Sequence, residues 1–164
     1  MNATLNNLEQ LYRDLAPTVL AYFRRQPALA PVAEDLLQDT FLRALRRLDR
    51  LGESASHRAY LFGIARHVGL DALRRRRPHE PLTQEPAAAE DAPDPRLEPM
   101  RLAIAELPDA QREALLLKLN HELSYEEIAE VLEIPVGTVR SRLHHAVLRL
   151  RVTLKPADFK KDSP

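Results

Sequence analysis

The sequence predicts an all-α protein made of two small helical domains joined by a flexible linker. Only four of the 164 residues are glycine, and the alternation of apolar and polar residues that marks strands is scarce. Apolar residues recur instead at helical spacing along most of the chain. Between the helical segments, residues 78–98 hold five prolines and six acidic residues, a composition that favours an extended connector over a packed core.

Length and composition narrow the class of protein. A chain of 164 residues suffices for one ordinary domain or two small ones. Cysteine is absent, so no disulfide or thiolate metal ligand is expected, as suits a reducing cytosol. The start of the chain has no basic segment followed by an apolar run, so we expect no secretory signal. Apolar runs fall far short of the ~20 residues that cross a bilayer, and we expect a cytoplasmic protein without membrane insertion.

The formal net charge of zero hides an uneven distribution. Residues 1–77 hold thirteen basic and eight acidic side chains, whereas residues 78–100 hold one and six. Residues 101–151 are nearly balanced, with seven and eight. Separate modules with their own local charge therefore describe the chain better than its overall isoelectric point.

Three helices are predicted before the linker. The first runs over about residues 5–26, and Pro17 inside it is expected to kink or divide it. The second follows Pro31, a residue suited to a helix start. The third is capped by Ser56 and ends in the arginine run 74–77.

Changes in composition set the predicted domain boundaries. The first domain covers residues 1–77, the linker 78–98, the second domain 99–153 and a short tail 154–164. The linker cannot bury enough apolar surface to offset its ordering entropy, so we expect it to be flexible. In the second domain we expect a short helix over residues 100–106 and another opened by Pro108, with three leucines facing inward: Leu115, Leu116 and Leu119.

The segment from Ser124 to Arg151 has the pattern of a helix-turn-helix. Ser124 and Glu127 have the spacing of a capping box at the start of one helix, and Pro135 opens the next after a two-residue turn. The last helix holds four arginines and no acid from Thr138 onward, whereas the helix before it is acidic. A basic amphipathic helix in a plain helical hairpin is the alternative interpretation.

A polar face on the last helix is the candidate DNA-binding surface. At about 100° per residue, Ser141, His144 and His145 lie opposite the apolar stripe, with Arg140 and Arg142 beside them. Such side chains contact base edges and phosphates when a recognition helix enters a major groove. The histidines have no metal-ligand constellation around them, and we expect no metal and no cofactor.

The first domain offers further candidates, each with a structural alternative. The arginine run 74–77 suits phosphate attraction, or it is a solvated helix end. Tyr60 and Phe62 lie near a loop of residues 49–57, where aromatic rings stack on bases from a melted duplex or pack in the core. The polar face around Asp35 and Asp39 docks a basic protein partner, or it is plain solvent surface.

Several segments together resemble the extracytoplasmic-function (ECF) sigma factors, promoter-recognition subunits of bacterial RNA polymerase. They read AEDLLQDTFLRA at residues 33–44, RAYLFGIARH at 58–67 and DALRRR at 71–76. Further along they read LP at 107–108, SYEEIA at 124–129 and PVGTVRSRLH at 135–144. Each segment alone is a modest signal; their order with a linker between them is specific.

The resemblance implies a role for each segment. The second helix would dock on core RNA polymerase through Asp35, Leu36, Gln38, Asp39 and Phe41. The loop 52–57 and the third helix would bind the melted minus-ten element through Tyr60, Phe62, Arg66, His67, Arg74, Arg75 and Arg76. The last helix would read the duplex minus-thirty-five element through Thr138, Arg140, Ser141, Arg142, His144 and His145. An anti-sigma factor is a further expected partner.

Four positions depart from the common family pattern. Tyr60 is a mild change, because an aromatic residue, often Trp, is usual there. Gly63 stands where relatives often have a larger residue, His67 where Asn is common, and His145 where Arg is common. The promoter sequence therefore cannot be carried over from relatives.

Two rival functions follow from other interpretations of the same residues. A conventional helix-turn-helix regulator, binding duplex DNA without polymerase, explains the second domain but leaves the Asp35–Arg43 face without a role. A sequestering adaptor would need no basic recognition helix. We expect no enzyme, because the chain has no cysteine nucleophile, glycine-rich phosphate loop or acid–base pair.

Overall fold

The structure, a computed structural model, describes residues 2–76 and 94–154. Seven α-helices and three short 3₁₀ turns make up the described residues, with no strand among them, which confirms the all-α prediction. The chain divides into two compact helical units, the first ending at Ala88 and the second beginning at Ala89. Residues 78–93 of the predicted linker, Arg77 and tail residues 155–164 lie outside the described residues.

The first unit contains helices α1 (Asn2–Arg24), α2 (Ala33–Arg46) and α3 (His57–Arg75). One 3₁₀ turn, Ala30–Val32, leads into α2, and another, Leu48–Glu53, follows it. The three helices pack around a core whose fully buried side chains include Val19, Phe23, Leu29, Leu61 and Val68. Ser56 caps α3 as expected, because its Oγ accepts a hydrogen bond of 3.0 Å from the Ala59 N–H.

The expected division of α1 at Pro17 is wrong, whereas the expected end of α3 is confirmed. Helix α1 continues through Pro17 and is not divided there. The neighbours Ala16 and Val19 are buried in the core, so packing holds the helix where one backbone hydrogen bond is lost. Helix α3 ends at Arg75, inside the arginine run as expected, since Arg76 already has extended dihedral angles.

The second unit contains α4 (Glu98–Ala105), α5 (Asp109–His121), α6 (Tyr125–Leu132) and α7 (Val136–Thr153). A 3₁₀ turn, Pro95–Leu97, precedes α4, so the last residues assigned to the linker are helical. The inward orientation expected for Leu119 on α5 is wrong. Its side chain is 57% exposed, and Leu117 is buried instead. No helix of the two described stretches is long and apolar enough to cross a membrane.

Candidate partner-binding and nucleic-acid interfaces

Helix α2 presents a polar face on the first unit. Asp35 and Gln38 are exposed, one turn apart, and Asp39 is half-buried beside them. Acidic residues in the first turn of a helix interact favourably with the positive end of its dipole, so Asp35 is stabilised where it lies. This face offers negative charge to a basic partner.

Arg43 joins this face to α3. Its Nε and Nη2 donate to the two oxygens of Asp39 at 3.2 and 3.1 Å, while its Nη1 donates to Asp71 Oδ2 at 2.8 Å. The hydrogen bond from Arg43 is the main cause of the lowered pKa of Asp71, and the hydrogen bonds to Asp71 and Asp39 raise the pKa of Arg43. A guanidinium fork that holds two carboxylates at once fixes both side chains.

An open apolar groove of about 470 Å³ lies between α1 and α2, next to this polar face. Tyr12, Leu42 and Leu45 stay 45%, 54% and 41% exposed on its walls. Single exposed apolar residues are ordinary, but a contiguous patch rimmed by polar groups marks an interaction surface. The groove is lined by Leu8, Glu9, Tyr12, Gln38, Phe41, Leu42 and Leu45.

The predicted docking contacts Leu36 and Phe41 need correction. Both point into the core, at 9% and 7% exposure, because they fall on the apolar stripe of α2. Phe41 meets the edge of the Tyr12 ring at a centroid distance of 4.7 Å. Of the two, Phe41 also lines the groove, and the predicted docking contacts that are exposed on α2 are Asp35 and Gln38.

The aromatic pair expected to stack on melted bases is also corrected. Phe62 is fully buried and meets the half-buried Tyr22 ring edge-on at 5.6 Å. Tyr60 is only 8% exposed, and its hydroxyl donates to backbone carbonyls at the end of α2. Both rings are buried within the first unit, as the core-packing alternative expects.

The more accessible side of α3 is formed by other residues. Gly63, Arg66, His67 and Arg74 recur at helical spacing; Arg66 is half-buried, and His67 and Arg74 are exposed. A Cβ atom built on Gly63 would meet nothing within 4 Å, so this face is open there. The predicted minus-ten contacts that stay accessible are therefore Arg66, His67, Arg74 and Arg75.

The arginine run does not act as one uniform patch. Arg74 lies 3.7 Å from Asp71, and Arg75 is exposed at the end of α3. Arg76, by contrast, donates from Nη1 to the Ala28 carbonyl at 2.9 Å. It therefore tethers the connection between α1 and α2 through one of its five N–H donors.

Helices α6 and α7 form the predicted helix-turn-helix. The capping box is present: the Glu127 N–H donates to Ser124 Oγ at 3.1 Å, and the Ser124 N–H donates to Glu127 Oε2 at 2.7 Å. Helix α6 ends in a Schellman arrangement, in which the Ile134 N–H donates to the Ala129 carbonyl. Glu133 takes the left-handed conformation that this ending requires, with φ 56°.

The polar face of α7 is accessible, as the sequence predicts. Arg140, Ser141, His144 and His145 are exposed, and Thr138 and Arg142 are half-buried. The buried side chains Val139, Leu143 and Ala146 hold the opposite face against the unit. Ser141 Oγ lies 3.3 Å from His145 Nδ1, and the two histidine rings meet edge-on at 5.7 Å. This face therefore brings together arginine, hydroxyl and imidazole groups that can donate hydrogen bonds to a ligand.

Sequence reasoning missed what Arg43 and Tyr60 do. The four-residue spacing of Asp39 and Arg43 signals an intrahelical pair, but Asp71 lies 28 residues further on, and nothing local links it to Arg43. Tyr60 carries both an apolar ring and a polar tip, and the sequence alone does not reveal that the tip meets a helix end.

Both units match known families of one protein class. Residues 11–79 match the family described as Sigma-70 region 2, and residues 97–150 match Sigma-70, region 4. The chain is 34% identical over 160 residues to RNA polymerase sigma factor YlaC of Bacillus subtilis, across 89% of this chain and 91% of the relative. It is 40% identical over 135 residues to ECF RNA polymerase sigma factor SigC of Mycobacterium tuberculosis, across 77% and 72%.

Solved structures agree with these relatives. The chain is similar to sigma factor RpoE from Bartonella quintana, solved with the anti-sigma factor NepR: the TM-score is 0.67 at 26% identity, over 92% of this chain and 98% of the other. It is also similar to CnrH, solved with the cytosolic domain of CnrY, with a TM-score of 0.63 at 28% identity over 90% and 87%. The chain therefore belongs to the sigma-70 family of RNA polymerase sigma factors, within its extracytoplasmic-function group.

Proposed function

We propose that this sigma factor binds core RNA polymerase through α2, reads the minus-thirty-five element with α7 and holds the melted minus-ten element with α3 and the loop before it. The observation that carries the proposal is the division of surfaces within one chain. An acidic, partly apolar surface lies on the first unit, and an arginine-bearing recognition helix lies on the second. A conventional duplex-binding regulator needs only the second of these surfaces.

Docking on polymerase is assigned to Asp35 and Gln38 together with the groove between α1 and α2. Apolar walls next to a carboxylate suit an amphipathic helix with basic residues along its edge, which buries its apolar stripe in the groove. Charge complementarity at the rim sets the orientation and the rate of association. Asp39 contributes as one arm of the bridge to Arg43.

Promoter binding is assigned to two chemically different faces. On α7, Arg140 and Arg142 pair with phosphates or guanine edges, while Ser141 and the histidines donate to or accept from base edges. On α3, Arg66, His67 and Arg74 lie along a face suited to following a phosphate backbone. Two weak sites on one chain reinforce each other through effective concentration, which gives the complete promoter its affinity.

An anti-sigma factor is the proposed regulator, in the bacterial cytoplasm where polymerase works. The support is that one structural neighbour, RpoE, was solved with the anti-sigma factor NepR, and another, CnrH, with the cytosolic domain of CnrY. A partner that covers the groove on the first unit would block polymerase docking directly. Release of that partner would then start transcription.

Transcription in vitro tests the function. Core polymerase with and without the chain is assayed on genomic promoter fragments, and we expect transcripts that require both. Asp35→Lys should weaken initiation by lowering core affinity, and Arg140→Glu with Arg142→Glu should abolish it while core affinity stays at the wild-type value. Tight, promoter-specific duplex binding by the free chain, with no transcript that depends on it, would favour the conventional regulator.

A further inference from the structure

The end of α2 lacks the residue that usually closes a helix. Arg47, the residue after the last helical position, has φ −131° and ψ 34°, so no left-handed residue ends the helix. The next glycine along the chain is Gly52. The last carbonyl groups of a helix have no partner within it and need donors from elsewhere. The Arg47 N–H donates to the Ala44 carbonyl at 3.1 Å, and the Arg50 N–H donates to the Arg47 carbonyl at 3.0 Å.

From the first turns of α3, Tyr60 adds a second donor to both of these carbonyl groups. Its hydroxyl lies 2.6 Å from the Arg47 carbonyl and 3.2 Å from the Ala44 carbonyl. The ring is 8% exposed and packs in the core of the first unit, so the hydroxyl is held in place by the packing of the whole side chain. Burial raises the pKa of Tyr60 above its usual value, so the group remains a donor at neutral pH.

No residue from Arg47 to Ser56, between α2 and α3, is buried. The 3₁₀ turn Leu48–Glu53 contains no buried residue. Leu51 packs in part against the core, and Ser56 at the far end caps α3. A segment with so few buried contacts has low local stability unless its ends are fixed. Tyr60 fixes the first end.

We propose that Tyr60 is a positioning residue, whose hydroxyl fixes the loop of residues 47–56 in the shape that captures the melted minus-ten strand. The inference rests on the proposed function, which gives this loop its DNA role. Tyr60 acts through the loop backbone and touches no base. A loop that is ordered before binding loses less conformational entropy when the strand arrives, and this raises affinity without a new contact.

A variant that lacks only the hydroxyl tests the proposal. Holoenzyme assembled from core polymerase and the full chain is titrated with a fork-junction DNA whose minus-ten element is single-stranded. We expect Tyr60→Phe to weaken fork binding about fivefold, the usual effect of one hydrogen bond, while affinity for core is unchanged. Leu51→Ala, which releases the same loop at its middle, should give the same pattern. Tyr125→Phe, which removes a hydroxyl from the second unit, is the matched control.

The possible results separate the inference from the function on which it rests. Wild-type holoenzyme that binds the fork no better than a duplex would overturn the minus-ten role of the first unit, and the proposal with it. Wild-type preference for the fork, with equal binding by folded Tyr60→Phe, would overturn the proposal alone and leave the hydroxyl a purely stabilising role. A parallel loss of core affinity in Tyr60→Phe would also overturn it, because the effect would then extend beyond the loop.

Discussion

Two glycines on α3 give opposite predictions for the same substitution. Glycine in a helix interior costs about 1 kcal/mol relative to alanine. A Cβ atom on Gly63 would meet nothing within 4 Å, so Gly63→Ala should raise the free energy of unfolding by about that full amount. A Cβ atom on Gly69 would lie 3.1 Å from Leu29 Cδ1 and 3.5 Å from Phe23 Cε1. Leu29 is 1% exposed and has little room to move, so overpacking of about 1–3 kcal/mol should cancel or exceed the gain in Gly69→Ala.

Unfolding of the full chain in urea measures both variants. Near-UV dichroism reports mainly on the first unit, because most of the described aromatic residues lie there, including Tyr12, Tyr22, Phe41 and Phe62. A gain of about 1 kcal/mol corresponds to roughly 4–8 °C in Tm for a domain of this size. Equal stabilisation by both alanines would show that the packing against Leu29 does not restrict α3. No gain at Gly63 would show that the propensity argument fails on this face.

Three further predictions concern charge and helix ends. Asp71→Asn should lower the free energy of unfolding of the first unit at neutral pH, and the variant and wild type should become equally stable in acid. The reason is that Arg43 holds the pKa of Asp71 below 3.8. The stability that ionised Asp71 contributes is therefore complete above that value and is lost as the pH falls through the lowered pKa. Urea unfolding at neutral and at acidic pH measures this. A difference in the free energy of unfolding that is the same at both would contradict it. Glu133→Gly should stabilise the second unit by about 1 kcal/mol, because glycine adopts the left-handed conformation without strain. Calorimetry should show a higher unfolding temperature for that unit. Arg140→Ala should weaken holoenzyme binding to the minus-thirty-five element and lower the salt dependence by about one unit if Arg140 binds a phosphate; an unchanged salt slope with relaxed base preference would assign it to a base edge instead.

The helix-turn-helix was predictable from sequence because its determinants are local. Ser124 and Glu127 lie within one turn, and Pro135 opens the next helix, so short-range pattern and structure agree. The accessible face of α7 follows from helical spacing alone, since its buried stripe is continuous. Leu119 shows the limit of this approach. On α5 both Leu117 and Leu119 are apolar residues that could face the core, and packing against the other helices buries Leu117 and leaves Leu119 exposed.

The first unit was harder to predict because its decisive contacts join residues far apart in the chain. Arg43 and Asp71 are separated by 28 residues, and Arg76 and Ala28 by 48. Each contact engages a charged side chain within the unit, although the sequence alone would leave that side chain available to a partner. Asp39 and Arg76 lie on the predicted surfaces, yet both are engaged within the unit. An accessible charge and an engaged charge differ in what they offer a ligand, and only the folded chain distinguishes them.

Tyr60 shows why an aromatic residue beside a loop that is proposed to bind DNA is ambiguous from sequence. Its ring suits stacking on a base and suits core packing equally well, so composition does not decide between them. The deciding fact is the way α2 ends. The chain that leaves a helix needs its direction fixed. Helix α2 ends without a left-handed residue, and the first turns of the following helix bring a phenol to within 2.6 Å of the Arg47 carbonyl, which also accepts the Arg50 N–H. The same need is met at α6 by the left-handed Glu133, where no side chain has to intervene. The two helix ends thus use different solutions, and only the first makes an interior residue of α3 responsible for the shape of the loop that precedes it.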